Sequence, residues 1–130
     1  MRSTVVVDAN LILRYLLGDH PEHSAAAAEL MERVRGGDAF AYVPEGVVVE
    51  CVYVLLKVYR VPRDEVAGKL IGILSFRGIA NEARDVLLAA LRLFRDRNVD
   101  IVDGIVQATA AKRGWQPFSF DRDLKRLAGS

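Results

Sequence analysis

The run Thr4-Val5-Val6-Val7-Asp8-Ala9-Asn10 decides how the rest of the chain is read. Its β-branched residues are continuous rather than alternating. That predicts a strand over Thr4–Val7 buried on both faces, as in the parallel sheets of α/β proteins. The strand ends on a carboxylate. In such sheets the functional edge lies at the carboxyl ends of the strands, so Asp8 is predicted there. The competing role for Asp8 is an ordinary cap for a helix beginning at Ala9, and at this point both roles stand.

Outward from this run, strands and helices alternate. Leu11 to Leu17 is a short apolar helix closed by Gly18, and Pro21 opens an alanine-rich helix that ends at Gly36-Gly37. Ala39 to Val43 is a second strand. Gly46 to Tyr59 is rich in valine, which favours a strand, but its length and the Pro44-Glu45 start favour a largely buried helix. Pro62 starts a helix to Leu74, and Phe76 to Ala80 is a third short strand. Asn81 is placed to cap a helix from Glu82 to Arg97, and Asn98-Val99 breaks it. Asp100 to Arg113 is the next helix, stopped by Gly114. Pro117 to Phe120 is a last strand, followed by a short helix from Asp121. The alternation predicts an α/β sandwich with a mainly parallel sheet.

The chain has 130 residues, which suits a single domain, 1–130, with one core. A composition of 52% hydrophobic and 27% charged residues matches an ordinary globular protein. A net charge of +1 gives no strong global attraction to nucleic acid, so such a partner needs a local basic patch. Arg92, Arg95 and Arg97, Lys112 with Arg113, and Arg122 with Lys125 and Arg126 are the candidate clusters. For each the plainer role is a solvated face. Cys51 is the one cysteine, which excludes an internal disulfide and a cysteine-based zinc site. Its apolar setting predicts a buried, inert thiol. The chain reaches its first strand without a signal sequence. No uncharged apolar run reaches the ~18 residues of a membrane span. The cytoplasm is the expected compartment.

Three further acids, Glu50, Asp103 and Asp121, interrupt apolar stretches. Asp121 follows the last strand and is predicted at the same sheet edge as Asp8. Asp103 lies in the first turn of its helix, and Asp100, three residues earlier, can share its face. Glu50 is the one charge between Glu45 and Lys57, about 9 Å along its helix at ~1.5 Å per residue. Spacing does not bring it to the others. Each acid has a structural alternative. Glu50 can pair with Lys57 or face solvent, Asp100 and Asp103 can complement a helix dipole, and Asp121 can be a cap. As a group they point elsewhere. A buried, unpaired carboxylate is costly, so Glu50 is expected to need a partner. Carboxylates meeting at one edge repel unless a cation joins them. Oxygen donors without histidine or thiolate clusters favour Mg²⁺ or Mn²⁺. His20 and His23 have no evident partner and are expected on the surface.

A carboxylate-held divalent metal suits phosphodiester hydrolysis by an activated water, without a covalent nucleophile. A haloacid dehalogenase-type phosphatase also places an aspartate after its first strand, but it needs a second acid two residues on. Asn10 stands there. A phospho-receiver needs an acidic pair after the first strand and a lysine ending a late one, and the chain has neither.

These pieces carry a family resemblance. Val5-Val6-Val7-Asp8-Ala9-Asn10, then Val43-Pro44 leading to Glu50, then Asp100-Ile101-Val102-Asp103-Gly104-Ile105-Val106-Gln107-Ala108-Thr109-Ala110, and finally Ser119-Phe120-Asp121-Arg122-Asp123-Leu124 resemble a PIN-domain ribonuclease, specifically a VapC-type toxin of a toxin–antitoxin pair. The match spans nearly the whole chain. The resemblance implies a three-layer fold, with a mainly parallel sheet of four to five strands flanked by helices. It implies an acidic pocket for Mg²⁺ or Mn²⁺, with Asp8 and Asp103 as principal ligands and Glu50 and Asp121 completing the quartet. It makes Asn10 a hydrogen-bonding residue of the pocket, Ser119 the holder of the turn at Asp121, and Asp100 and Asp123 accessory acids. It implies endoribonuclease activity on RNA, a homodimer and an inhibitory antitoxin partner. A degenerate PIN domain that only binds is the non-catalytic alternative. Two positions depart from the family pattern. Ala9 replaces a usual Thr or Ser, and Gly104 replaces a usual Ala with a residue of up to ~1 kcal/mol lower helix propensity. Single-stranded loops are the expected cleavage sites. The apolar helices Gly46–Tyr59 and Val66–Leu74 are candidates for the dimer or antitoxin surface, against an ordinary core role.

Overall fold

A computed structural model describes residues 3–18 and 21–117, and the side chains of all of these except 21–23. Strand β1 is Thr4–Val6 and helix α1 is Ala9–Leu17. They are followed by α2, Pro21–Gly36, and β2, Phe40–Tyr42. Next come α3, Glu45–Tyr53, a π-helical turn over Val54–Val58, and α4, Arg63–Leu74. Two long helices, α5 (Arg84–Arg97) and α6 (Ile101–Arg113), complete the order. The predicted strand over Pro117–Phe120 and the helix from Asp121 lie outside the described residues, apart from Pro117 itself, as do His20 and the side chain of His23.

β1 and β2 pair in parallel, with Thr4 opposite Phe40, Val5 opposite Ala41 and Val6 opposite Tyr42. The connection through two helices is what a parallel pair requires. The third predicted strand narrows to one parallel bridge between Ala41 and Ile79. Its two bonds run from Ala41 N–H to Gly78 O, 2.9 Å, and from Ala80 N–H to Ala41 O, 2.8 Å. Gly78 sets the approach: a Cβ there would lie 2.0 Å from Ala39 O and 2.7 Å from Val34 O. The described residues thus form an α/β fold with a parallel sheet of two strands and a bridge.

The prediction that β1 is buried on both faces needs correction. Val5 is 42% and Val6 69% exposed. Within the described sheet β1 is an edge strand, and no described element covers these side chains. Val7 is the residue that enters the core.

Helix ends follow local chemistry. Gly18 (φ 63) and Asn98 (φ 55) terminate α1 and α5 in the left-handed conformation. Asn81 does not cap α5, whose N-cap is Ala83. Instead its amide accepts from Val43 N–H at 2.9 Å and donates to Val43 O at 2.7 Å. Asn81 thereby acts as a strand partner for the backbone just past β2, and the helix starts later than predicted.

The buried apolar residues form one cluster that draws on β2 and every described helix, the mark of a single core. Helix α3 contributes Val48, Cys51 and Val52, and the π turn adds Leu55. Helix α4 contributes Val66, Ala67, Leu70, Ile73 and Leu74. The plainer role predicted for these two apolar helices therefore holds for those residues. α5 and α6 pack against each other, and α4 packs on α5. At the α1–α2 contact, Tyr15 OH donates to Glu32 Oε2 at 2.9 Å. Among the described residues no helix is long and apolar enough to cross a membrane.

Candidate functional site

Asp8 sits one residue past Val7, at the carboxyl end of β1, and serves as the N-cap of α1. Its Oδ1 accepts from Leu11 N–H at 2.9 Å. The capping role is therefore real, and it occupies one oxygen of a solvent-exposed carboxylate. Asn10 is exposed in the first turn of α1. Its side chain makes no hydrogen bond to another described residue.

Glu50 is also exposed, and no charged side chain among the described residues is buried. This overturns the expectation that Glu50 is a buried carboxylate in need of a partner. The physical reason is helix phase. Val48, Cys51, Val52 and Leu55 face the core at intervals of three and four residues, and Glu50 falls on the opposite side of α3. A valine-rich stretch concealed an ordinary two-faced helix. Nor does Glu50 pair with Lys57. The π turn, in which Tyr59 N–H reaches back five residues to Val54 O at 3.1 Å, takes Lys57 out of the register of α3.

Asp100 is the N-cap of α6, with Oδ2 accepting from Val102 N–H at 3.3 Å. Asp103 is half-buried in the first turn of the same helix. The hydroxyl of Tyr53 straddles the Asp100 carboxylate, 3.1 Å from Oδ1 and 2.9 Å from Oδ2. Partial burial raises the Tyr53 pKa first, and the hydrogen bond and charge of Asp100 add to that, with a further contribution from Asp103.

Helix α3 is the common element among these acids. It packs against α1 on one side and against α6 on another. Cys51 is buried, and its thiol is pushed up to about 12, first by burial and then by the charges of Glu50 and Asp8. Its predicted burial holds. The same thiol also shows that Glu50 and Asp8, from different elements, both act electrostatically on one point. Tyr53 plays the equivalent part for Asp100 and Asp103. Among the described residues, no salt bridge takes up Asp8 or Glu50. No three His, Cys, Asp or Glu side chains among them come close enough to hold a metal. Ser119, Asp121 and Asp123 lie outside the described residues.

Donor chemistry still fits a hard divalent cation. Asp8, Glu50 and Asp103 offer only carboxylate oxygens, and the positive ends of α1 and α6 favour negative charge at Asp8 and Asp103. The cavity of about 570 Å³ between α5 and α6 is not this site. Its acids, Asp85 and Asp96, are paired with Lys112 and Arg95. These pairs, and Arg113 lying over the Trp115 ring at 5.2 Å, account for much of two predicted basic clusters. The cluster of Arg122, Lys125 and Arg126 lies outside the described residues.

Tyr53 was not anticipated from the sequence. The available signal was a phenol one helical turn beyond Glu50, a polar tip in an apolar run.

Neither the curated proteins nor the solved structures compared with this chain gave a match. A model of the PIN domain does match, over residues 5–130. PIN domains are generally nucleases, hydrolases that use divalent metals. With Asp8 at the carboxyl end of a parallel strand and that match over nearly its full length, the chain belongs to the PIN-domain family.

Proposed function

We propose that this protein is a Mg²⁺- or Mn²⁺-dependent endoribonuclease that hydrolyses RNA phosphodiester bonds with an activated water. We assign it the toxin role of a VapC-type toxin–antitoxin pair in the cytoplasm. The observation that carries the reading is the placement of Asp8 and Glu50. Two exposed carboxylates from different elements act on the same thiol, and no cation is paired with either among the described residues. Carboxylates on neighbouring elements with no paired cation are suited to a bound cation.

In this reading Asp8 and Asp103 are the principal ligands, Glu50 and Asp121 complete the acidic set, and Asn10, Ser119 and Asp123 support it. A divalent metal bound there lowers the pKa of its water and offsets charge on the phosphate. The protein's own contribution is to fix Asp8 at a strand end, Glu50 on α3 and Asp103 on α6. The same reading extends the sheet to four or five strands. It also includes a homodimer and an antitoxin that covers the acidic groove. Exposed Val58 (68%) at the end of the π turn offers apolar surface for such a contact.

Asp8→Asn tests the reading. Asparagine is as good an N-cap as aspartate, so the fold and melting temperature should hold while RNA cleavage and growth arrest disappear. An equally active and toxic Asp8→Asn protein would overturn it. A second reading, a binding platform without catalysis, is favoured by the lack of a three-ligand cluster among the described residues. Calorimetric titration separates the two, because the platform binds neither Mg²⁺ nor Mn²⁺.

A further inference from the structure

We propose that Tyr53 is a positioning residue of the acidic site, and that Asp100 is its anchor rather than a metal ligand. This rests on the metal-dependent reading above.

Tyr53 OH lies within hydrogen-bonding distance of both oxygens of the Asp100 carboxylate, and Oδ2 also receives Val102 N–H. The phenol and the first-turn N–H together tie this carboxylate to α3 and to the start of α6, a structural task that fixes its orientation.

Position supplies the second half. Tyr53 stands one turn beyond Glu50 on α3, so the two share a helix face. Asp100 stands at the start of α6, three residues before Asp103. The Tyr53–Asp100 contact is a side-chain hydrogen bond between α3 and the N-cap of α6. It therefore sets how the Glu50 face of α3 meets the Asp103 end of α6. Without it, both helices keep their packing but lose a polar tie between the elements that carry these two carboxylates. Groups that orient ligands in this way affect metal affinity without touching the metal.

The test uses Mn²⁺ itself, titrated by calorimetry into the full chain, alongside thermal melts and cleavage kinetics. Tyr53→Phe should keep the far-UV spectrum, weaken Mn²⁺ binding roughly tenfold, and regain kcat at saturating Mn²⁺. Asp100→Asn retains an oxygen for Tyr53 and for the cap, so it should bind Mn²⁺ within about threefold of the wild type, while Asp103→Asn should bind far more weakly. Should Tyr53→Phe melt below the assay temperature, the comparison of Asp100→Asn with Asp103→Asn decides alone. Unchanged Mn²⁺ affinity in Tyr53→Phe, or an Asp100→Asn loss as deep as that of Asp103→Asn, overturns the proposal and leaves the nuclease reading standing. Absence of Mn²⁺ binding by the wild type overturns both.

Discussion

The guanidinium of Arg63 lies 4.1 Å from the centre of the Phe94 ring and donates to Phe94 O at 2.7 Å and to Val99 O at 3.2 Å. One side chain at the start of α4 thus stacks on a core aromatic and satisfies carbonyls at the end of α5 and in the loop before α6. That loop delivers Asp100 and Asp103, so the contact connects core packing to the candidate site.

Removal of this contact should be costly. Arg63→Ala loses hydrogen bonds from a charged donor and a cation–π contact, together about 2–3 kcal/mol of stability. Arg63→Lys keeps the charge but loses the planar group that stacks on Phe94, and should recover only part of the loss. Urea unfolding of the three proteins at matched pH measures both.

Three glycines should respond to alanine in three ways. Gly78→Ala puts a methyl against two backbone carbonyls, with the nearer at 2.0 Å, and should prevent stable folding. At Gly104 the added carbon meets Ala90 O at 2.9 Å, where α6 presses on α5. Helix propensity gains about 1 kcal/mol, but the two backbones must part, at a cost of ~1–3 kcal/mol. We expect a net loss of about 1 kcal/mol, even though alanine is the residue the family pattern suggests. Gly68, inside α4, has nothing within 4 Å of an added Cβ, so Gly68→Ala should gain up to ~1 kcal/mol. Thermal melts of the three variants rank them.

Alkaline stability should report on Cys51. Its folded pKa of about 12 lies above the ordinary value of 9.0. The neutral thiol therefore favours the folded state fully below about pH 9. That contribution is lost as pH rises toward 12, because the unfolded chain ionises first. Wild-type stability should fall across this window more steeply than that of Cys51→Ala, measured by urea unfolding at pH 8 and pH 11. The native thiol should also resist disulfide reagents at pH 8. Equal slopes for the two proteins would show that Cys51 does not titrate this way.

Much of the fold was legible along the chain because its signals are local. Gly18, Pro21, Asn98 and Gly114 mark helix ends by backbone chemistry alone, and the structure puts ends there. Asp8 was legible as both a cap and an edge carboxylate, since both follow from a β-branched run that stops at an acid. Asn81 was misread because capping is a local rule, and here a residue distant in sequence, Val43, competes for the same amide.

The sequence by itself determined the alternation of strands and helices, several of the helix ends and the identity of the acids. Tertiary structure decided three things that hydropathy does not encode. It put Glu50 on the solvent side of α3, because burial depends on helix phase relative to the core rather than on neighbours in the chain. It left Val5 and Val6 open on an edge strand within the described sheet. And it brought Tyr53 to Asp100, 47 residues away, because α3 and α6 meet only once the core has packed.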